Sequence, residues 1–249
     1  MTDKLNMTAD NKHKVDPNIQ AATYDRDAKA FKEKSEQLST WVYIGGPEID
    51  IFAQSLPKDA RFWDQGSSSG RIVQRLIDNG IKASNIVGVE ISPEQVEIAR
   101  REIPEATFIV VDLTNVALEP NSMDAGTQHM VGEHLDDETL AAVNKHTYET
   151  LKAGGRYKVI STHPSKTAIS SGLKGSGSFM TTFPWGGEGL NYHRTRKDFI
   201  KSYEDAGFVI DEVKDLKMPD EAKETHPDDY EKYQKYPYLR ISVTMHKPE

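Results

Sequence analysis

Three carboxylates of this chain each follow an apolar run, and their spacing indicates a site that binds a ligand. Asp64, Glu90 and Asp112 stand at or near the ends of such runs, and a turn of small residues at 66–70 (GSSSG) comes soon after the first. A carboxylate accepts hydrogen bonds from both hydroxyls of a ribose and offers a counter-charge to a ligand amine. A helix N-terminus behind such a turn presents backbone N–H groups to an anion. These residues predict a ligand site, although each carboxylate has an alternative role as a helix cap or solvated turn residue.

Histidines are the candidate general bases, because imidazole titrates near neutral pH. Four are expected near the same crevice: His129 and His134 after the fourth apolar run, His163 after the fifth, and His193 before a helix. His134 has the strongest positional case and His193 the next, and a structural or exposed role is the alternative for each. Glu133, beside His134, is either a base or orienting group or an ordinary surface carboxylate.

Aromatic side chains are the candidate walls of an acceptor pocket. They are Phe179, Phe183, Trp185 and Tyr192 from residues 163–192, and Tyr24 and Trp41 from the leading helices. The segment 163–192 leaves the C-terminal end of a predicted strand, where open α/β sheets bind ligands. The alternative is that these aromatics are core residues that pin the leading helices to the domain.

Apolar runs that alternate with helical periodicity supply the framework for these residues. Seven strands are predicted, at 61–64, 85–91, 106–111, 123–130, 157–162, 208–213 and 238–245. Their alternation with helices predicts an α/β fold with a mostly parallel sheet covered on both faces. The last strand alternates apolar and polar residues, which is typical of an antiparallel strand with one wetter face. Because the C-terminal ends of parallel strands line one crevice, the three carboxylates are expected to converge there.

Capping residues indicate where several helices begin and end. Ser92 is a predicted N-cap, with Pro93 at the first helical position and Gln95 placed to complete a capping box. Asp136 and Thr195 are predicted to cap two later helices. Gly80 is the expected stop of the helix that follows the glycine turn.

The chain is predicted to contain one large domain with additions. Residues 1–20 lack apolar periodicity and are expected to be a mobile leader, and residues 21–57 form a helical cap. The domain occupies residues 58–249, with insertions at 163–192 and 214–236. The second insertion is charged and contains prolines, so it is expected to be a solvated excursion with room for a short helix.

Composition excludes several classes of protein. The 249 residues include 39 acidic and 31 basic side chains, and the formal charge of −8 disfavours nucleic acid and anionic membranes as partners. The absence of cysteine excludes disulfides, Cys-ligated zinc and a thiol nucleophile. No apolar run has the length of a bilayer span or the form of a signal peptide. We expect a soluble cytoplasmic protein without a metal site, and the oligomeric state stays open.

The order of these motifs resembles that of a class I S-adenosylmethionine-dependent methyltransferase of the small-molecule type. Asp64 with its glycine turn resembles the first motif of the family, Glu90 in GVEIS the acid of the second strand, and Asp112 in VVDL the acid of the third. The segments QHMVGEHL, LKAGGRYKVIS and NYHRTRKDFIKSYEDAGF resemble later family segments. The likeness covers residues from about 58 to the C-terminus, and it implies a Rossmann-like, doubly wound sheet.

The resemblance implies S-adenosylmethionine as the cofactor and a set of binding residues. That set is Asp64, Gly66, Ser67, Ser68, Gly70, Glu90, Ile91, Asp112, Leu113 and Gln128. Gly66 and Gly70 would shape the turn around the methionine moiety. Glu90 would hold the ribose hydroxyls, Ile91 would pack on adenine, and Asp112 would accept a hydrogen bond from the adenine amino group.

Other nucleotide sites fit the glycine turn less well. Ser68 stands where the family has its middle glycine, and Ser67 where it often has cysteine. A dinucleotide fingerprint requires glycine at positions 68 and 71, where this chain has Ser68 and Arg71. A phosphate-binding P-loop is excluded because its Gly-Lys-Ser/Thr ending is absent.

The favoured function is transfer of a methyl group to a small-molecule oxygen, nitrogen or carboxylate by in-line displacement. Alignment and desolvation supply most of the acceleration, and a base is needed only where the acceptor loses a proton. One alternative is a binding protein that keeps the fold and the cofactor without turnover. Another is a protein or nucleic-acid methyltransferase, although the acidic balance and the sequence QHMV after the fourth strand disfavour nucleic acid.

Overall fold

The protein is described by a computed structural model that covers residues 22, 25, 28–183 and 188–249. The predicted leader at 1–20, Tyr24 and Trp185 lie outside these residues. The strands are β1 (Phe62–Gln65), β2 (Ile86–Glu90), β3 (Thr107–Val110), β4 (Met123–His129), β5 (Leu151–Thr162), β6 (Gly177–Thr182), β7 (Glu188–His193), β8 (Val209–Leu216) and β9 (Arg240–His246).

Seven of these strands form the central sheet, in the order β3-β2-β1-β4-β5-β9-β8. Strands β1 to β5 pair in parallel, and β9 runs antiparallel to both of its neighbours. Strands β6 and β7 form a separate antiparallel hairpin. The predicted α/β fold, a mostly parallel seven-stranded sheet with an antiparallel C-terminal strand, is therefore confirmed.

Helices cover both faces of this sheet. They are α1 (Ala28–Gln37), α2 (Gly46–Gln54), α3 (Arg71–Asp78), α4 (Pro93–Glu102), α5 (Asp137–Thr150), α6 (Pro164–Ser171), α7 (Arg196–Glu204), α8 (Ala222–Thr225) and α9 (Pro227–Tyr233). A five-residue π-helix (Trp41–Gly45) precedes α2, and 3-10 turns stand at Ala83–Asn85, Leu113–Asn115 and Gly132–His134. Within the described ranges, no helix combines the length and apolarity needed to cross a bilayer.

Strand β1 shows why the core divides into two layers. Phe62 and Trp63 are fully buried neighbours in sequence, and they belong to different hydrophobic clusters. Successive side chains of a strand point to opposite faces of the sheet, so each residue packs against a different helical layer. The central position of β1 therefore requires apolar residues at both faces.

The glycine turn and helix α3 form as the sequence predicts. Gly70, with φ of 90°, is the N-cap of α3, and Ile72, Val73 and Leu76 face the core. Past the end of the helix, Gly80 has φ of 89° and its N–H donates to the Ile77 carbonyl at 2.8 Å. This left-handed C-terminal cap satisfies carbonyls that the helix leaves unpaired.

The capping prediction for α4 is half right. Ser92 Oγ accepts from the Gln95 N–H at 3.2 Å, as an N-cap should. The Gln95 side chain does not reach back to Ser92: its Nε2 donates to the Ala28 carbonyl at 3.2 Å and its Oε1 accepts from Ser68 Oγ at 3.2 Å. The capping box is wrong because Gln95 is buried between α1 and the glycine turn, which supply closer partners.

The segment 214–236 is more ordered than the sequence predicts. It contains the end of β8 and the helices α8 and α9. Met218 and Ala222 are buried in a cluster with Ile44 and Leu239. The other residues of the segment are exposed or half-buried, and these two apolar residues among charges become core residues because the π-helix packs on them. The other insertion, 163–192, contains α6 and most of the β6–β7 hairpin.

Candidate functional site

A cavity of about 300 Å³ lies at the C-terminal edge of the sheet. One half is lined by the glycine turn and by residues that follow β2 and β3. The other half is lined by residues that follow β4 and β5, by α6 and α9, and by the first residue of β9. The strand order reverses between β1 and β4, and open α/β sheets bind ligands at this point.

Glu90 ends β2 in the first half of the cavity and is buried. Its Oε2 accepts from the Ser68 N–H at 2.9 Å, and its Oε1 accepts from the N–H groups of Ile91 at 2.8 Å and Ser92 at 3.0 Å. Burial raises the pKa of Glu90, and these backbone donors oppose the shift. The three bonds fix the carboxylate beside the turn, and its four lone-pair sites leave room for a further donor.

Ser68 holds a left-handed conformation, with φ of 49°. This is unusual for a residue with a side chain, and it explains why a glycine suits the position. The hydroxyl donates to Gln95 Oε1 at 3.2 Å, which holds the side chain against α4. Ser68 lines the cavity together with its neighbours Gly66 and Ser67.

Asp112 and its neighbours line the cavity beyond β3. Asp112 Oδ1 accepts from the Thr114 N–H and hydroxyl, both at 2.7 Å, so the residue caps the 3-10 turn at Leu113–Asn115. Leu113 and Ile91 are half-buried residues of the same lining. Asp112 thus caps a turn, which is one of the two roles that the sequence left open, and it also lines the cavity.

Three of the implied cofactor-binding residues lie behind the cavity and not in its described lining: Asp64, Gly70 and Gln128. Asp64 is fully buried, and its Oδ1 accepts from Thr127 Oγ1 at 2.7 Å. Burial raises its pKa to about 7, against the opposing charge of Arg71. Gln128 donates to Gln65 Oε1 at 3.1 Å. Both bonds join β1 to β4, directly before the glycine turn.

His129 lines the cavity beside Arg71 and Trp41. The Arg71 guanidinium lies 4.2 Å from the Trp41 ring centroid, and its Nη2 lies 3.3 Å from His129 Nδ1. Because arginine can only donate, His129 Nδ1 accepts this bond and the neutral ring carries its proton on Nε2. Burial, with the charges of Arg71 and Arg240, holds the pKa of His129 well below its usual value. This ring is therefore poorly suited to take up a proton.

His134 also lines the cavity and is half-buried. Its ring meets Phe183 edge-on, with centroids 5.8 Å apart. Burial lowers the pKa of His134, and the Glu133 charge and the Asn191 side chain oppose the shift. Glu133 is buried, not an exposed surface carboxylate, and it accepts from Ser161 Oγ at 2.6 Å and from Thr162 Oγ1 at 3.0 Å.

The other two candidate histidines are placed away from the described cavity lining. His193 is buried and its Nδ1 lies 2.6 Å from Thr167 Oγ1. His163 is the N-cap of α6 and lies 3.1 Å from Asp215 Oδ1. The hairpin turns His193 inward against α6, so the structure does not bring this residue into the described cavity lining.

The aromatic walls are partly those expected from the sequence. Trp41 and Phe183 line the cavity, whereas Phe179 and Tyr192 do not belong to its described lining. Phe31 of α1 and Tyr233 of α9 also line the cavity, although no sequence pattern indicated them. Trp41 also packs in the core cluster, so its two predicted roles coexist.

Three cations that were not among the predicted site residues also line the cavity: Arg71, Lys166 and Arg240. Arg71 starts α3 directly behind the glycine turn, Lys166 lies on α6 after β5, and Arg240 is the first residue of β9. The position of Arg71 after the turn was a usable signal in the sequence. Lys166 and Arg240 are isolated basic residues that only the folded sheet brings together.

The polar groups of the first half fit a nucleoside-bearing methyl donor. Glu90 and Asp112 provide acceptors on adjacent strands, and the buried Ser67 Oγ has no hydrogen-bond partner in the described structure. Buried polar atoms are rarely left unpaired, so an orphan in the lining indicates a ligand group. The hydroxyls and amine of an adenosine moiety match this set of acceptors.

Comparison with known proteins agrees with this geometry. Residues 62–155, from β1 into β5, match the profile of the family described as "Methyltransferase domain". A search of curated protein sequences finds no significant match.

Solved structures show the same fold at low sequence identity. An S-adenosylmethionine-dependent methyltransferase from Mesorhizobium loti is 17% identical over 84% of this chain and 98% of its own, with a TM-score of 0.66. A putative one from Listeria monocytogenes is 18% identical over 82% and 99%, with a TM-score of 0.64. The 1,6-didemethyltoxoflavin-N1-methyltransferase of Burkholderia thailandensis, solved with 1,6-didemethyltoxoflavin and S-adenosylhomocysteine, is 13% identical over 97% and 95%, with a TM-score of 0.64.

The sheet order and the glycine turn agree with the matched profile, which describes residues 62–155 as a methyltransferase domain. The chain shares its fold with solved S-adenosylmethionine-dependent methyltransferases.

Proposed function

We propose that this enzyme transfers the methyl group of S-adenosylmethionine to a small molecule held in the second half of the cavity. The observation that carries the proposal is the covering of the cavity by several elements. Phe31 of α1, Trp41 of the π-helix, Phe183 after β6 and Tyr233 of α9 all line it. Such walls suit a compact acceptor more than a polymer, and pockets of this size commonly bind small ligands.

The first half of the cavity would hold the cofactor. Glu90 would accept from the ribose hydroxyls, and Asp112 would accept from the adenine amino group. Ile91 and Leu113 would pack on the adenine ring. Arg71 lies directly behind the turn, where its charge suits the methionine carboxylate. Asp64, Gly70 and Gln128 would act by positioning the turn.

The second half of the cavity would align the acceptor. When bound, S-adenosylmethionine supplies an activated methyl group for in-line displacement. The walls exclude water and restrict the approach of the acceptor, and these effects can supply much of the acceleration. Where the acceptor must lose a proton, His134 is the candidate base, because its lowered pKa keeps the ring neutral near pH 7.

Calorimetry with S-adenosylmethionine and S-adenosylhomocysteine tests the cofactor site. We expect Glu90→Gln to weaken the binding of both about tenfold or more, since a carboxylate bond to a ligand hydroxyl is lost. Glu97→Gln, an exposed position on α4, is the matched control. Thermal unfolding of both variants shows whether the fold is kept. Unchanged affinity in folded Glu90→Gln would refute the assignment of Glu90.

Transfer of a radiolabelled methyl group tests the class of acceptor. The enzyme and labelled S-adenosylmethionine are incubated with separate low-molecular-mass, protein and nucleic-acid fractions of a cell extract. We expect label in the low-molecular-mass fraction. Label confined to protein or nucleic acid would contradict the small-molecule proposal, and cofactor binding without any transfer would favour the non-catalytic alternative.

A further inference from the structure

We infer that the acceptor carries an anionic group, which Arg240 and Lys166 bind in the second half of the cavity. This inference rests on the proposed function, and it specifies the chemistry of the acceptor. The anion is a carboxylate or a phosphate-type group, since both offer oxygens to a guanidinium and an ammonium.

The position of the two cations separates them from the cofactor half. Arg240 pairs with Thr162 across β5 and β9, and Lys166 lies on α6, which follows β5. Glu90 and Asp112 follow β2 and β3, on the other side of β1 and β4 in the sheet. Because β9 is antiparallel, its first residue lies at the same edge as the C-terminal ends of the parallel strands. Arg240 therefore faces the same cavity from its far side.

Neither cation has a carboxylate partner in the described part of the chain. Arg240 is buried and donates to the Leu239 carbonyl at 3.1 Å and to Thr40 Oγ1 at 3.0 Å. The Lys166 ammonium lies 5.5 Å from the Tyr233 ring centroid and 5.7 Å from that of Tyr236. None of the ion pairs among the described residues includes either side chain.

One described acid, Glu133, acts on both cations without neutralising them. Glu133 acts electrostatically on both cations, but its oxygens already accept from Ser161 and Thr162. One engaged carboxylate therefore faces two cations, and a buried charge is costly unless it is paired. An anionic group on the acceptor would supply the missing partner, while Tyr233 and Phe183 would contact its apolar part.

The charge of Lys166 is sensitive to its surroundings. Burial and the charge of Arg240 lower the pKa of Lys166 to about 7, with Lys232 and Lys235 contributing and Glu133 opposing. Tyr233 and Tyr236 are the ring neighbours of the ammonium. The amine is protonated below this pKa and loses its charge above it, so anion binding should weaken as the pH rises from 6 to 8.

Three matched probes test the inference: phenylacetate, benzylphosphonate and phenylacetamide. Their binding to the full chain, saturated with S-adenosylhomocysteine, is measured by calorimetry at pH 6.5. We expect at least one anion to bind about tenfold or more tightly than the amide. The better anion distinguishes a carboxylate site from a phosphate-type site. Equal binding of all three, or binding of none, would overturn the inference.

Variants locate the effect. Lys166→Met and Arg240→Met should each reduce the preference for the anion about tenfold. Arg240→Lys should keep part of the preference that Arg240→Met loses. Lys174→Met, at an exposed position, should leave the preference unchanged. Affinity for S-adenosylhomocysteine should stay unchanged in all four. If it fell with the anion preference, the cations would bind the cofactor carboxylate and the inference would be wrong. If the unmodified chain failed to bind S-adenosylhomocysteine, the proposed function itself would fail.

A further measurement needs no acceptor. Because the unpaired Lys166 charge opposes folding, Lys166→Met should raise the urea midpoint of the free enzyme, more at pH 6 than at pH 9. Lys174→Met should leave the midpoint unchanged. A midpoint that falls equally at both pH values would show that Lys166 serves packing alone, which contradicts the inference.

Discussion

Asp64 is fully buried at the end of β1, and only one of its oxygens has a hydrogen-bond donor in the described structure. Thr127 donates to Oδ1, whereas Oδ2 is buried without a partner. Burial is the largest cause of the pKa of about 7, which lies far above the ordinary value of 3.8. The folded chain thus binds a proton here that the unfolded chain releases above pH 4.

We predict that Asp64→Asn removes a pH dependence of stability. A raised carboxyl pKa stabilises the folded state at low pH, and this contribution is lost as the pH rises through the folded-state pKa. Between pH 5 and pH 8 the wild type should lose about 2 kcal/mol more of its unfolding free energy than Asp64→Asn. Urea unfolding at both pH values measures this, with the exposed Asp59→Asn as control. Parallel pH profiles for wild type and Asp64→Asn would contradict the prediction.

Single residues of the site were predictable where the chemistry depends on local sequence. Glu90 and Asp112 were found because each follows an apolar run, and both do line the cavity. The position of His193 could not be read from the sequence, because nothing local reveals that the hairpin turns it toward α6. Arg240 looked like an ordinary polar residue of an alternating strand, and only the antiparallel pairing of β9 places it at the cavity.

At the scale of elements, the glycine turn contacts the segment that follows β4. Gly66 has φ of 70°, and a Cβ built on it would lie 2.4 Å from Val131 Cγ2. A side chain here would meet both backbone strain and a steric clash. Gly172 has a similar φ of 75°, but no atom lies within 4 Å of the position that a Cβ would take. A substitution at Gly172 therefore measures the cost of backbone strain without a steric clash.

We predict that Gly66→Ala costs about 2–4 kcal/mol of unfolding free energy, whereas Gly172→Ala costs about 1 kcal/mol. Removing the Val131 methyl groups should relieve the clash, so Gly66→Ala combined with Val131→Ala should lose less than the sum of the single losses. Urea unfolding of the four chains of this cycle provides the measurement. If the losses of the single variants were strictly additive, the close approach of Gly66 and Val131 would contribute nothing to the free energy of unfolding.

Elements were predicted well where capping and periodicity agree. Ser92, Asp136 and Thr195 all cap the helices they were expected to cap. The capping box of Gln95 failed because tertiary partners compete for its amide. The short helix that the sequence allowed in the segment 214–236 takes the form of α8 and α9, and the burial of Ala222 in α8 depends on Ile44 of the π-helix, a contact between distant parts of the chain.

At the scale of the whole molecule, a buried ion pair joins the N-terminal helices to the far half of the sheet. Glu48 of α2 accepts from Lys158 of β5 at 2.6 Å and from Ser242 of β9 at 2.9 Å, and Lys214 of β8 lies 3.3 Å away. The Lys158 side chain is 2% exposed and that of Glu48 8%. These bonds connect four elements that are far apart in sequence.

We predict that Glu48→Met costs about 3–5 kcal/mol, because it leaves the buried Lys158 charge without its partner. Glu48→Met combined with Lys158→Met should lose much less than the sum of the single losses, since no unpaired charge remains. The exposed pair Lys145–Glu149 is the control, and its coupling should stay below about 0.5 kcal/mol. Equal coupling energies in the two double-mutant cycles would disprove the role given to the buried pair.

The sequence by itself determined the α/β fold class, the strand order along the chain, the glycine turn and the acids that follow β2 and β3. These features depend on periodicity, turn chemistry and strand ends, which are local properties of the chain. Tertiary structure alone decided which two of the four candidate histidines line the cavity, how α1, the hairpin and α9 wall it, and that Lys166 and Arg240 share its far side. Those contacts join residues that are distant in sequence, so no local sequence pattern can predict them.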